Sequence, residues 1–177
     1  MEMKQNNIPS NNYEINKNKS EEYQDWLSKE LPKHNGLIIQ FMTSKKYQYS
    51  LGESVQGIEV KYDMKLAKTN NLFIETYEKR RHENHTFIES GILRKDNTII
   101  YGIGDYKILY LFSKKLLLHI YSKYQNMNNS FLSNNNWVIF EKEGKPIMSA
   151  SKTSIGFLLN TENMPDWIYI DKVIFSC

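Results

Sequence analysis

Polar and apolar residues alternate with a period of two along Gly57-Ile58-Glu59-Val60-Lys61-Tyr62-Asp63, and again along Asn71-Leu72-Phe73-Ile74-Glu75-Thr76-Tyr77-Glu78-Lys79. Successive side chains of a strand point to opposite faces, so each stretch predicts a strand. In the first, Ile58, Val60 and Tyr62 share one face, while Glu59, Lys61 and Asp63 line up on the other. Residues 64–70 between them are polar and lead into Asn70-Asn71, a turn signal, so the two strands are expected to pair as a hairpin. Pairing there would bring Glu75 beside Glu59.

Upstream the period lengthens to that of a helix. Tyr23, Trp26, Leu27 and Leu31 recur at helical spacing behind Ser20, an N-cap residue followed by Glu21 and Glu22, and Pro32 is expected to stop the run. Residues 1–19 are Asn-rich and nearly free of large apolar side chains, which predicts a flexible arm and leaves 20–177 as a single domain. Residues 36–42 have strand length and character, and 47–51 predict a further short strand or turn. Strands are also expected at 98–101 and 106–112, on either side of a turn at Gly102-Ile103-Gly104-Asp105. Ser113 caps the clearest helix, whose apolar stripe is Leu116, Leu117, Ile120, Tyr121 and Tyr124. An Asn- and Ser-rich loop follows, then short strands at 137–141, 155–159 and 167–175. Together these elements predict an α+β fold: a central mixed sheet flanked by the two helices, with a β-rich C-terminal part.

Composition changes this picture little. A chain of 177 residues suits one domain with one core. A net charge of +3 and a pI near 8.7 are compatible with a nucleic-acid partner without requiring one. The one cysteine, Cys177, excludes an intrachain disulfide and a cysteine metal cluster, which points to a reducing, cytoplasmic setting. No stretch approaches the roughly 18 apolar residues of a membrane span, so no membrane partner is expected.

The candidate chemistry lies in the polar row. A spacing of two puts Glu59 and Lys61 on one face of a strand, and Glu75 on a paired strand would gather carboxylates beside an ammonium. Mg²⁺ takes one or two carboxylates and completes its shell with water and substrate phosphate, the arrangement used in phosphodiester hydrolysis. Lys65, Lys68, Lys79, Arg80 and Arg81 lie close in sequence and are the cations a phosphate backbone would meet.

Glu59-Val60-Lys61 with Asp63 just after, Asn70-Asn71-Leu72-Phe73-Ile74-Glu75 downstream and Ser90-Gly91-Ile92 beyond resemble the PD-(D/E)XK nuclease superfamily, in particular small nucleases of phages and mobile elements. The resemblance spans about residues 52–157. It implies a restriction-endonuclease-like fold and a metal-dependent endonuclease acting on DNA, with Mg²⁺ as cofactor and Mn²⁺ able to substitute. Glu59 and Lys61 would take the metal-binding acid and catalytic lysine places, with Glu75 as a supporting acid. The upstream metal acid falls to Glu53, six residues before Glu59, a gap shorter than the family's usual one and comparable to that of its mismatch-repair nicking branch. The opening helix of some members supplies a further acid, here Glu22 or Glu30. Lys65, Lys68, Arg80 and Arg81 would contact DNA, and a restriction-type homodimer is one assembly the resemblance allows. The alternative is a nuclease-fold protein with impaired catalysis that binds DNA or a protein partner.

Overall fold

A computed structural model of the chain describes residues 11–42, 44–79, 84–125, 136–141 and 145–175. Its α+β architecture has two sheets in place of the expected central one. The first sheet is four-stranded, in the order β1 (Ile58–Tyr62), β4 (Ile100–Gly104), β5 (Ile108–Ser113), β9 (Asp171–Ile174). β1 runs parallel to β4, and the other pairs are antiparallel, so this sheet is mixed. The second sheet orders β3 (Ile88–Glu89), β2 (Asn71–Glu78), β8 (Ser154–Asn160) and β6 (Val138–Ile139), with β7 (Ile147–Met148) also on β8.

The expected hairpin between β1 and β2 does not form. Both strands exist where the alternation put them, but β1 pairs with β4 and β2 pairs with β8. The connection is not a tight turn: it holds a short helix, α3 (Leu66–Thr69), closed by Asn70 at φ 52°. Asp63 starts that helix, accepting hydrogen bonds from the amides of Lys65 at 2.9 Å and Phe73 at 3.1 Å, and so carries the chain from one sheet to the other.

The first sheet is covered on both faces. Ile58, Val60, Leu109, Leu111 and Val173 pack under α1 (Asn11–Asn35), whose buried stripe is Tyr23, Leu27 and Leu31. The opposite face carries Tyr101, Ile103, Tyr110 and Phe112 into a core shared with Leu72 and Ile74 of β2, Phe157 and Leu159 of β8, and Leu117, Ile120, Tyr121 and Tyr124 of α4 (Lys114–Gln125). The β1 row bearing Glu59 therefore looks inward between layers.

Several boundaries differ from expectation for identifiable reasons. α1 already includes residues 11–19, so Ser20 is interior rather than an N-cap, and the described part of the expected arm is helix. Its exposed turns carry an i,i+4 pair, Lys17–Glu21 at 3.6 Å, a polar helix that apolar periodicity cannot report. Pro32 does not end α1. The helix runs on through a Glu30–Lys33 pair at 2.8 Å and stops before Gly36, whose φ of 72° is the left-handed conformation that ends many helices. Residues 47–51 lie in a helix, α2 (Lys45–Leu51), and of 36–42 only Phe41 makes a β-bridge, to Ser54. Gly102 and Gly104 sit inside β4 rather than in a turn, and β5 approaches so closely that a Cβ at Gly104 would lie 2.0 Å from the Ile108 carbonyl.

Candidate active site

Glu59 is the centre of the site. It lies mid-strand on β1 directly beside Tyr101 of β4, and its side chain is fully buried. A carboxylate taken out of water needs cationic partners. Two supply them: Lys61 Nζ is 2.8 Å from Oε1, and Arg94 Nη2 is 2.8 Å from Oε2. The Lys61 contact is close but poorly directed, so Glu59 Oε1 accepts no hydrogen bond of good geometry among the described residues.

Glu53 reaches the same ammonium, its Oε1 standing 3.0 Å from Lys61 Nζ. The loop that presents it is tied to residues 40–42, with the Met42 amide donating to the Glu53 carbonyl and the Val55 amide to the Gln40 carbonyl. Gln24 of α1 donates to Glu53 Oε2 at 3.2 Å. The opening helix thus touches the site through Gln24. Glu22 is exposed, and Glu30 pairs with Lys33.

Beyond Arg94 the charges continue to alternate. Arg94 Nε donates to Asp96 Oδ2 at 2.8 Å, and Lys114 Nζ, at the start of α4, donates to Asp96 Oδ1 at 2.7 Å and to the Arg94 carbonyl at 2.6 Å. Glu53, Lys61, Glu59, Arg94, Asp96 and Lys114 form one row of alternating sign that crosses the interior from the loop before β1 to α4. The sequence reading missed Arg94, Asp96 and Lys114, although Asp96 flanks a turn and Lys114 follows the helix cap. Their partners are remote in sequence.

The titration behaviour follows from this packing. Burial pulls Lys61 toward deprotonation, yet the carboxylates of Glu53 and Glu59 outweigh it and hold its pKa well above the ordinary lysine value. Lys61 is therefore a fixed cation and not a base. Burial raises Asp96, but hydrogen bonds from Lys114, Arg94 and the Thr98 amide dominate and hold it at about 2. Arg94, opposed by burial and supported by Glu59 and Asp96, stays charged.

Glu75 belongs to the second sheet and approaches from across the layer. Ser90, 2% exposed, donates to its Oε1 at 2.7 Å. The register of β2 against β8 shifts between Glu75 and Tyr77: Glu75 faces Gly156 while Glu78 faces Ser154, two residues away on β8. This bulge turns Glu75 and Glu78 to one face, which no simple alternation would give. Burial and the neighbouring Glu75 charge raise the Glu78 carboxyl. Gly91, at φ 49°, packs so closely on β2 that a Cβ would lie 2.3 Å from the Glu75 carbonyl. The Ser90-Gly91-Ile92 turn therefore fixes both Ser90 against Glu75 and Arg94 against Glu59.

Among the described residues, no three His, Cys, Asp or Glu side chains converge into a ready-made cation cage. Glu53 and Glu59 meet at one point, Lys61 Nζ, and Glu75, bonded to Ser90, adds its charge to the field at Lys61 from β2. The donor chemistry fits Mg²⁺ nonetheless, because that ion asks for one or two carboxylates and fills its shell with water and phosphate. Glu59 Oε1, buried and without a directed hydrogen bond, is the acceptor left open at the site.

Lys65, the residue before α3, and Lys68 within it are exposed, just past the β1 end that carries Lys61. Arg80 and Arg81 lie outside the described residues, as does Cys177. Among the described residues no helix is long and apolar enough to cross a membrane. Comparison with protein-family models, curated proteins and solved structures gives no match to this chain.

Proposed function

We propose that the protein is a Mg²⁺-dependent endonuclease that hydrolyses DNA phosphodiester bonds, with a restriction-endonuclease-like core. The observation that carries this reading is the convergence of Glu53 and Glu59 on Lys61 Nζ at 3.0 and 2.8 Å, with Glu59 fully buried. Perturbed, partly enclosed charges of this kind concentrate at functional sites. The residue pattern around them, Glu-x-Lys on a strand followed by Glu75 and Ser90-Gly91, is the one that resembles the PD-(D/E)XK nucleases. The mixed first sheet between α1 and α4 is compatible with that resemblance.

Glu59 and Glu53 are the residues that would hold Mg²⁺, and the ion when bound would supply polarisation of a phosphoryl oxygen and a lower pKa for water. The chain's own groups do the rest. Lys61, permanently charged, donates to a non-bridging phosphate oxygen and neutralises charge that builds there during attack. Glu59 Oε1 accepts a hydrogen bond from the attacking water and aims it. Arg94 holds Glu59 Oε2 and fixes the carboxylate plane, and Asp96 and Lys114 hold Arg94 in turn. Lys65 and Lys68 lie on the same end of β1 and would contact the DNA backbone.

One observation favours the alternative, a nuclease-fold protein that binds DNA or a protein without cutting. Lys61 Nζ already bridges the two carboxylates, and the row of six charges is balanced, as in a purely structural network. Incubation of supercoiled plasmid with Mg²⁺ or Mn²⁺ separates the two. The nuclease reading expects nicked or linear product that is lost in Glu59→Ala and Lys61→Ala. Undiminished cleavage in both variants, or none by the wild type with either ion, rejects it.

A further inference from the structure

Four buried side-chain atoms among the described residues lack a hydrogen bond of good geometry: Glu59 Oε1, Thr98 Oγ1 and the hydroxyls of Tyr101 and Tyr121. Thr98 lies against Asp96, and Tyr121 against Thr76 and Tyr77, so each has a polar group close by. Tyr101 differs. Its ring is fully buried in the inner core, and the charged groups acting on its hydroxyl are Glu59, Lys61, Glu75 and Glu53. Residues paired across parallel strands project to the same side, and Tyr101 is the register partner of Glu59. Two buried polar atoms short of hydrogen bonds, one a donor and one an acceptor, thus sit on neighbouring strands and face one space.

A buried phenol with no partner is costly, and native proteins satisfy such groups with ordered oxygen ligands. We propose that the Tyr101 hydroxyl is a positioning residue of the site, donating a hydrogen bond to an oxygen, the water of a divalent cation, held between it and Glu59 Oε1. The count closes: Tyr101 donates to one lone pair of that oxygen, the ion would take the other, and one O–H donates to Glu59 Oε1. Loss of the second proton to solvent in turnover would free the lone pair that attacks phosphorus, the bond to the leaving oxygen breaking as the new one forms. Neither alternation nor the nuclease resemblance marks Tyr101, because it reads as the last residue of an ordinary short strand before the turn expected at Gly102. This inference rests on the metal-dependent nuclease reading for its role in turnover, but not for the ion-bound oxygen itself.

Tyr101→Phe removes the hydroxyl and keeps the ring, so the core should pack as before. The variant and wild type are compared by thermal melting, by Mn²⁺ titration calorimetry, and by steady-state cleavage of plasmid with Mn²⁺. The expected result is a melting temperature at or above that of the wild type, several-fold weaker Mn²⁺ binding, and kcat lower by roughly tenfold with KM for DNA unchanged, the loss of one well-directed hydrogen bond. Unchanged Mn²⁺ affinity together with unchanged kcat overturns the proposal, as does a lower melting temperature with unchanged kcat, the mark of a structural hydroxyl. Should the wild type fail to cleave, calorimetry decides alone. Weaker Mn²⁺ binding by Tyr101→Phe then upholds the oxygen site while the nuclease reading falls, and equal binding overturns both.

Discussion

Asp96→Asn tests whether the buried charge row holds the site together. Asp96 accepts Arg94 Nε at 2.8 Å, Lys114 Nζ at 2.7 Å and the Thr98 amide at 3.0 Å. Burial opposes its ionisation, and these donors more than compensate, so its folded pKa of about 2 lies below the ordinary 3.8. The folded chain therefore releases the Asp96 proton more readily than the unfolded chain does. The linked stability is fully present above about pH 4 and is lost as pH falls through about 2. The shift corresponds to about 2 kcal/mol at pH 7 and about 1 kcal/mol at pH 3. Leaving Lys114 and Arg94 against a neutral amide adds to the loss, since a broken buried pair costs up to about 3–5 kcal/mol. At about 2–4 °C per kcal/mol for a chain of this size, the charge contribution alone should lower the melting temperature at pH 7 by about 4–8 °C, and the unpaired cations add to that. Urea unfolding of both proteins at pH 7, 5 and 3 measures the difference directly. A gap that narrows toward pH 3 is expected. A gap below about 0.5 kcal/mol at pH 7, or one that does not change with pH, refutes the assignment of Asp96 as the anionic link between Arg94 and Lys114.

Gly91→Ala should cost more than an ordinary loop substitution, by about 2–4 kcal/mol, because it combines a left-handed backbone with a Cβ at 2.3 Å from the Glu75 carbonyl. It should also reduce cleavage by displacing Ser90 and Arg94, and a variant with wild-type melting temperature and activity would contradict the role given to this turn. Lys61 stays protonated well beyond pH 10 and contributes no titration below it. The rate of Mg²⁺-dependent cleavage should accordingly have the same pH dependence between pH 8 and 9.5 in the wild type and in Lys61→Arg. A rise there in the wild type that is absent in Lys61→Arg would show Lys61 acting as a base.

The alternation on β1 and β2 was legible because period two depends on local geometry alone, and Glu59, Lys61 and Glu75 were found by it. The partner of each strand was not. Ile58 pairs with Ile100 across the whole of the second sheet's first strand and its connections, and nothing local distinguishes that from a hairpin. Reading Glu59 and Lys61 as a polar face also hid their burial: a charged row signals solvent unless its counter-ions are known, and Arg94 reaches Glu59 across 35 positions of sequence. Glu78 was hidden by the bulge, which breaks the parity that sequence reading relies on. Tyr23, Leu27 and Leu31 located α1 correctly, while residues 17–20 of the same helix are exposed and polar and carry no apolar periodicity.

The most direct test of the site is anomalous diffraction from a crystal soaked in Mn²⁺. A peak within about 2.3 Å of a Glu59 carboxylate oxygen, with Glu53 or Glu75 also ligating and Lys61 Nζ moved off the shared position, is the predicted result. Mn²⁺ bound elsewhere, with Lys61 still seated between Glu53 and Glu59, would contradict a metal-dependent active site at β1.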